Sequence, residues 1–110
     1  LYSMSYLEDA VEAYMRAMQD FSAPATEQFE IYKNLGNILL RLGDADGAEE
    51  FYNKAYTINP DSDVLFVNYA SLYVYRGDYN KALQRFRQAI QLNDKNDKAW
   101  VGLAMIHREF

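Results

Sequence analysis

The chain has 110 residues, half of them hydrophobic, and a formal net charge of −5. That length is one domain's worth of chain, and the acidic balance argues against generic binding to nucleic acid or to an anionic membrane surface. The sequence contains no cysteine, which removes disulfides and thiolate metal sites. No apolar run approaches the roughly 18 residues that a membrane-spanning helix needs, so no membrane insertion is expected. No charged-then-apolar signal segment opens the chain. Together with the missing cysteines, this points to a cytoplasmic location. The first residue is Leu1 rather than Met, so the chain is expected to be part of a longer one. Ten tyrosines and six phenylalanines are a heavy aromatic load, expected to serve mainly in packing.

Taken in order, Ser5–Gln19 reads as a helix. Leu7, Ala10, Val11, Tyr14, Ala17 and Met18 fall on one face at helical spacing. Ser5, with Glu8 three residues on, has the form of a capping box. A loop is expected around Ala25–Gln28, after Pro24. Phe29–Leu42 reads as the next helix, closed by Gly43 in a left-handed position. Asp44 or Asp46 then caps a helix running to about Ile58, where Asn59-Pro60 stops it. Asp63–Arg76 and Asp78–Leu92 repeat that layout, with Gly77 as the break. Asp97–Phe110 reads as a sixth helix. The organisation is a single domain over 1–110: a partial unit at 5–22, full units at 29–62 and 63–96, and a partial unit at 97–110.

The two full units share their offsets. Tyr32, Leu35, Gly36, Leu39, Ala48, Tyr52, Ala55 and Pro60 each recur 34 residues later as Phe66, Tyr69, Ala70, Tyr73, Ala82, Phe86, Ala89 and Asp94. Ala10, Tyr14 and Ala17 match Ala48, Tyr52 and Ala55, and Trp100, Leu103 and Ala104 start the pattern again. A fixed period of this length marks stacked repeats, and the pattern resembles that of the tetratricopeptide repeat (TPR) family. The resemblance implies an all-α solenoid, a right-handed superhelix of about six helices built from antiparallel pairs. First helices of each pair would line a concave face and second helices a convex one. Gly36 and Ala70 would lie where the helices of a pair approach most closely. No unit buries its apolar face alone, so neighbours must stack.

Catalytic chemistry has little to work with. His107 is the sole histidine, and it falls at the offset of Leu39 and Tyr73, a packing position. No nucleophile elbow, phosphate-binding glycine loop or metal-binding histidine pair occurs. Asp44-Ala45-Asp46-Gly47 superficially has the look of a calcium loop. That loop needs glycine at its sixth position and glutamate at its twelfth, where this chain has Glu49 and Ala55. Capping is the better account. No cofactor and no enzymatic activity are expected.

The expected function is binding of a protein or peptide partner by first-helix residues that the repeat does not use for packing. Helical spacing puts Lys33, Asn37 and Arg41 on one stripe, Val64, Val67, Val74 and Tyr75 on the next, and Lys98, Val101, Met105 and Arg108 on the third. The middle stripe is expected to face solvent and to be apolar, with cations on either side. This suits a segment bearing acidic and apolar residues. The pattern also partly resembles the co-chaperone subgroup of TPR proteins that clamps C-terminal carboxylates. That resemblance implies ligand contacts by Lys33, Asn37, Asn68 and Lys98, but the fifth clamp residue, an arginine, is Gly102 here. A different peptide in the same groove is therefore preferred. Asn37 and Asn68 would bond the ligand backbone, Lys33 and Lys98 its carboxylates, and Val67 and Tyr75 an apolar side chain. Two alternatives remain. One is a self-assembly scaffold forming a homo-oligomer through the terminal helices, using Tyr6, Tyr14 and Met18 at one end and Trp100, Leu103, His107 and Phe110 at the other. The other is a regulatory domain of a larger enzyme.

Overall fold

The computed structural model describes residues 4–18 and 23–109. These form six helices: α1 (Met4–Met18), α2 (Ala25–Arg41), α3 (Ala45–Ile58), α4 (Asp63–Arg76), α5 (Tyr79–Leu92) and α6 (Asp97–Glu109). No strand occurs among the described residues. The helices fall into two compact units divided after Asn59, with α1–α3 in one and α4–α6 in the other. The side chains of Ser5, Tyr6, Tyr14, Met18 and Phe110 lie outside the described residues.

Local chemistry sets the boundaries. Glycine adopts the left-handed conformation at the ends of α2 and α4, with φ of 86° at Gly43 and 79° at Gly77. There a side chain would press on the backbone, which glycine avoids. The Asp44 amide reaches back to the Leu39 carbonyl and the Asp78 amide to that of Tyr73, so the last carbonyls of both helices find donors. These same two aspartates then cap the following helices. Asp44 accepts from the Gly47 amide at 2.9 Å, and Asp78 from Lys81 at 3.2 Å. Capping thus explains the Asp-rich run at 44–47. Among the described residues no cluster of His, Cys, Asp or Glu could hold a metal ion.

One boundary differs from expectation. Ala25–Gln28 is not a loop but the first turn of α2. Pro24 stands at the N-cap with φ −60° and ψ 154°, its carbonyl accepting from the Gln28 amide, and the Gln28 side chain donates to the Ala23 carbonyl at 2.9 Å. A proline ends a helix that reaches it from the N-terminal side, yet its fixed φ and missing N–H suit a helix start.

In the first unit α2 folds back on α3 around Leu35, Gly36, Ala48, Tyr52 and Ala55, all of them buried. The Tyr52 ring fills the space where Gly36 would carry a Cβ; an atom there would lie 2.5 Å from Cδ1 of the ring and closer still to Cε1. This is the close approach expected at Gly36. In the second unit α4 buries Leu65, Phe66, Tyr69, Ala70 and Leu72 around much of its circumference, and α5 packs between α4 and α6 through Ala82, Phe86 and Ala89. The Arg85 guanidinium lies over three α4 rings, at 5.8 Å from Phe66, 5.0 Å from Tyr69 and 5.9 Å from Tyr73. Such cation–ring contacts add about 0.5–1 kcal/mol each at part-exposed sites. The α5–α6 turn is tied to the start of α4. Asp63 Oδ2 accepts from Asn96 Nδ2 at 2.8 Å and from Asn93 Nδ2 at 3.0 Å, while Asn96 Oδ1 caps α6 through the Ala99 amide.

Gly36→Ala is expected to lower the unfolding free energy by about 1–2 kcal/mol, because overpacking against a locked ring outweighs alanine's helix preference. A urea titration with unchanged slope checks it. Slight burial of the Asp63 carboxyl pushes its pKa up, but the hydrogen bonds from Asn96, Asn93 and the backbone outweigh this and hold it below its ordinary 3.8. A depressed folded-state pKa contributes stability that is present above the unfolded value and is lost as pH falls through the folded one. Thermal unfolding of Asp63→Ala from pH 7 downwards should therefore start from a lower Tm. It should also fall less steeply than the wild type below about pH 4.

Candidate functional site

The first-helix face of the first unit carries three of the expected residues. Lys33 is answered on its own helix: its ammonium lies 2.8 Å from Glu30 Oε2 and 5.8 Å over the Phe29 ring, and its side chain is only 13% exposed. Asn37 Oδ1 accepts from the Tyr52 hydroxyl at 2.6 Å, so the residue expected to read a ligand also secures the core ring beside Gly36. Arg41 is exposed in the last turn of α2, where the helix dipole favours a cation.

In the second unit the expected residues divide. Val67, Lys98 and Val101 come together on an open cleft of about 700 Å³ between α4 and α6. Val67 with Ser71 and Val74 forms the α4 wall; Lys98, Val101 and Met105 form the α6 wall. The floor is Phe86 of α5 beneath Gly102 of α6. A Cβ at Gly102 would lie 2.7 Å from Cε2 of the ring and nearer still to Cζ. Val64 and Tyr75 do not line the cleft and are exposed, at 45% and 57%. The Asn68 amide nitrogen is buried, has no hydrogen-bond partner among the described residues, and does not line the cleft. A buried donor left unmatched costs about 1–3 kcal/mol.

One expectation is corrected. Val67 does not face solvent; only 8% of it is exposed, because it stands in the cleft wall rather than on its rim. His107 is exposed, on the face of α6 that also carries the exposed Trp100, the face expected to lack a covering neighbour.

The cleft is mainly apolar with charges at its edge. Asp97 occupies the first turn of α6, where the helix dipole offsets it, and Glu109 has Arg108 at 3.5 Å. Lys98 has no ion-pair partner among the described residues. Sequence reasoning did not identify Phe86 and Gly102 as the floor. The available signal was a glycine within a helix, which costs about 1 kcal/mol relative to alanine and so asks for a packing reason.

Helix pairs closed by glycine turns, with small residues opposite buried rings at a constant spacing, define a helical-repeat protein of the kind that presents surfaces to other proteins. Residues 27–95 match the family model of the tetratricopeptide repeat, and the chain belongs to that family. It is 37% identical over 101 residues to the BBSome complex member BBS4 of Mus musculus, covering 92% of this chain and 19% of that protein. It is 30% identical over 92 residues to the TPR repeat-containing protein MJ1428 of Methanocaldococcus jannaschii, covering 82% and 16%. The chain thus spans less than a fifth of either relative. The second TPR domain of the human RPAP3 protein, solved by NMR in complex with the HSP70 peptide SGPTIEEVD, aligns with a TM-score of 0.77 over 94% of this chain and 82% of that domain. At 22% identity that likeness shows the fold, an all-α TPR solenoid. No described helix is long and apolar enough to cross a membrane.

Tyr52→Phe is expected to cost about 1 kcal/mol of stability by removing the bond to Asn37. A comparable loss in Asn37→Ala, measured by chemical denaturation, would establish Asn37 as part of the core as well as of the surface.

Proposed function

We propose that the chain is a non-catalytic protein–protein interaction module that binds a peptide segment of a partner on its first-helix faces. The observation that carries this reading is the cleft of the second unit. Its walls present Val74, Val101 and Met105, and Tyr75 lies outside it on α4, all exposed between 39% and 57%. None of these is required to hold the helices together, and apolar surface left outside the core in this way marks interaction sites. The RPAP3 domain of the same fold holds an HSP70 peptide, which supports a peptide as the type of ligand. Val64, Asn68 and Lys98 extend the same face with a further apolar contact, an amide donor and a cation; Lys33, Asn37 and Arg41 offer polar groups on α2.

The carboxylate-clamp form of this reading is the weaker one. Lys33 already has Glu30, and Gly102 supplies no donor where the clamp resemblance calls for arginine. A planar guanidinium grips a carboxylate through two parallel bonds, and nothing at residue 102 replaces it.

Selection of phage-displayed dodecapeptides on the chain tests the proposal. Wild type should enrich a common motif, and Tyr75→Ser/Val101→Asp, two exposed substitutions that leave the core intact, should abolish the enrichment. Equal enrichment on the variant would move the site off this face. No enrichment, together with a mass that rises with protein concentration, would favour self-assembly instead.

A further inference from the structure

We infer that the α4–α6 cleft is a socket for an internal segment of a partner chain, one that inserts two large apolar side chains two residues apart, which share one face of an extended chain, and sets a carboxylate against Lys98. This rests on the peptide-binding reading above and specifies its ligand. Three observations carry it. The volume, about 700 Å³, exceeds what one side chain fills and lies within the range of ligand sites. The floor is a ring and a residue without a side chain, so it offers only apolar contact. At the cleft edge neither Lys98 nor Asp97 has an ion-pair partner among the described residues; Asp97 sits in the first turn of α6, where the helix dipole favours an anion, and Glu109 has Arg108, which leaves the Lys98 ammonium as the group that calls for an anion.

Gly102 is the specificity-determining position. A side chain there could not coexist with the Phe86 ring as it lies, so the place that would hold a carboxylate-reading arginine is instead filled by an apolar ring. The ligand is therefore read by apolar side chains in mid-chain, and a free C-terminus is not needed. The cleft is open to solvent, which suits a chain lying across it rather than a lipid tail threaded into it.

The test is titration of the ¹⁵N-labelled chain with the blocked peptide acetyl-Glu-Leu-Ser-Phe-Glu-amide, followed by amide shifts. Acid on both sides of the apolar pair makes chain direction immaterial. Shifts are expected at Val101, Gly102 and Met105. Replacing both Leu and Phe by Ala should weaken binding at least about tenfold, since most of the buried apolar area is gone. Replacing both Glu by Lys should weaken it severalfold, and the Lys98→Glu chain should reverse that preference. The same peptide with a free C-terminus should bind equally. Gly102→Leu should abolish the shifts, and should that variant not fold, the exposed Val101→Glu serves the same purpose.

A clear preference for the free terminus would overturn the inference in favour of a clamp. Decanoate binding at least about tenfold more tightly than the peptide would make the cleft a lipid-tail site. Shifts that ignore the Leu and Phe side chains, or that fall outside the cleft, would also overturn it. If phage selection succeeds while these peptides leave the cleft untouched, the socket alone fails and the broader reading stands. If neither binds, both fail.

Discussion

Each full repeat depends on placing one large ring, from its second helix, against a helix position that has no side chain. Tyr52 and Phe86 occupy the same place in the two repeats, 34 residues apart, yet they take different seats. Tyr52 lies against Gly36 of its own pair. At the equivalent of Gly36 the second repeat has Ala70, whose methyl group occupies the space a ring would need. Phe86 lies instead against Gly102 of the next first helix. Interiors packed to crystal-like density leave no third option, since a displaced ring must find an existing gap or open one.

The choice of seat reaches the surface. With the ring at Gly102, the α6 helix presents backbone and the edge of that ring where a longer residue would have projected, and the adjoining faces of α4 and α6 become walls. Packing and recognition are thus set by the same atoms in the second unit. In the first unit the link is a hydrogen bond: the Tyr52 hydroxyl, held by the ring's seat, fixes Asn37 on the outer face of α2. A substitution chosen to disable binding at Asn37 therefore also disturbs the core, whereas Tyr75 and Val101 can be altered with little structural effect.

The repeat was legible in the sequence because its spacing is imposed by contacts between neighbouring helices, and eight offsets recurring together are hard to produce otherwise. Caps were legible for the same reason, as Asp44 and Gly77 act within a few residues of themselves. Other features were decided across helices. The first turn of α2 was missed because Pro24 reads as a break in either direction, and only the Gln28 bonds show that a helix starts there. Val67 was misplaced because a stripe at helical spacing does not tell a cleft wall from its rim. The floor of the cleft depended on which of two gaps one ring occupies. Gly102 was noticed in the sequence only as a missing arginine.

A double-mutant cycle between Ala70 and Gly102 tests that choice of seat most directly. Unfolding free energies would be measured for Gly102→Ala, Ala70→Gly and the pair together in the whole chain. If Phe86 selects between these seats, Gly102→Ala is destabilising alone and Ala70→Gly relieves it by reopening the seat that Tyr52 uses. The coupling energy should then be at least about 1 kcal/mol. Effects that add to within about 0.5 kcal/mol would mean that the ring is not exchanging seats, and would contradict the account of how this cleft arises.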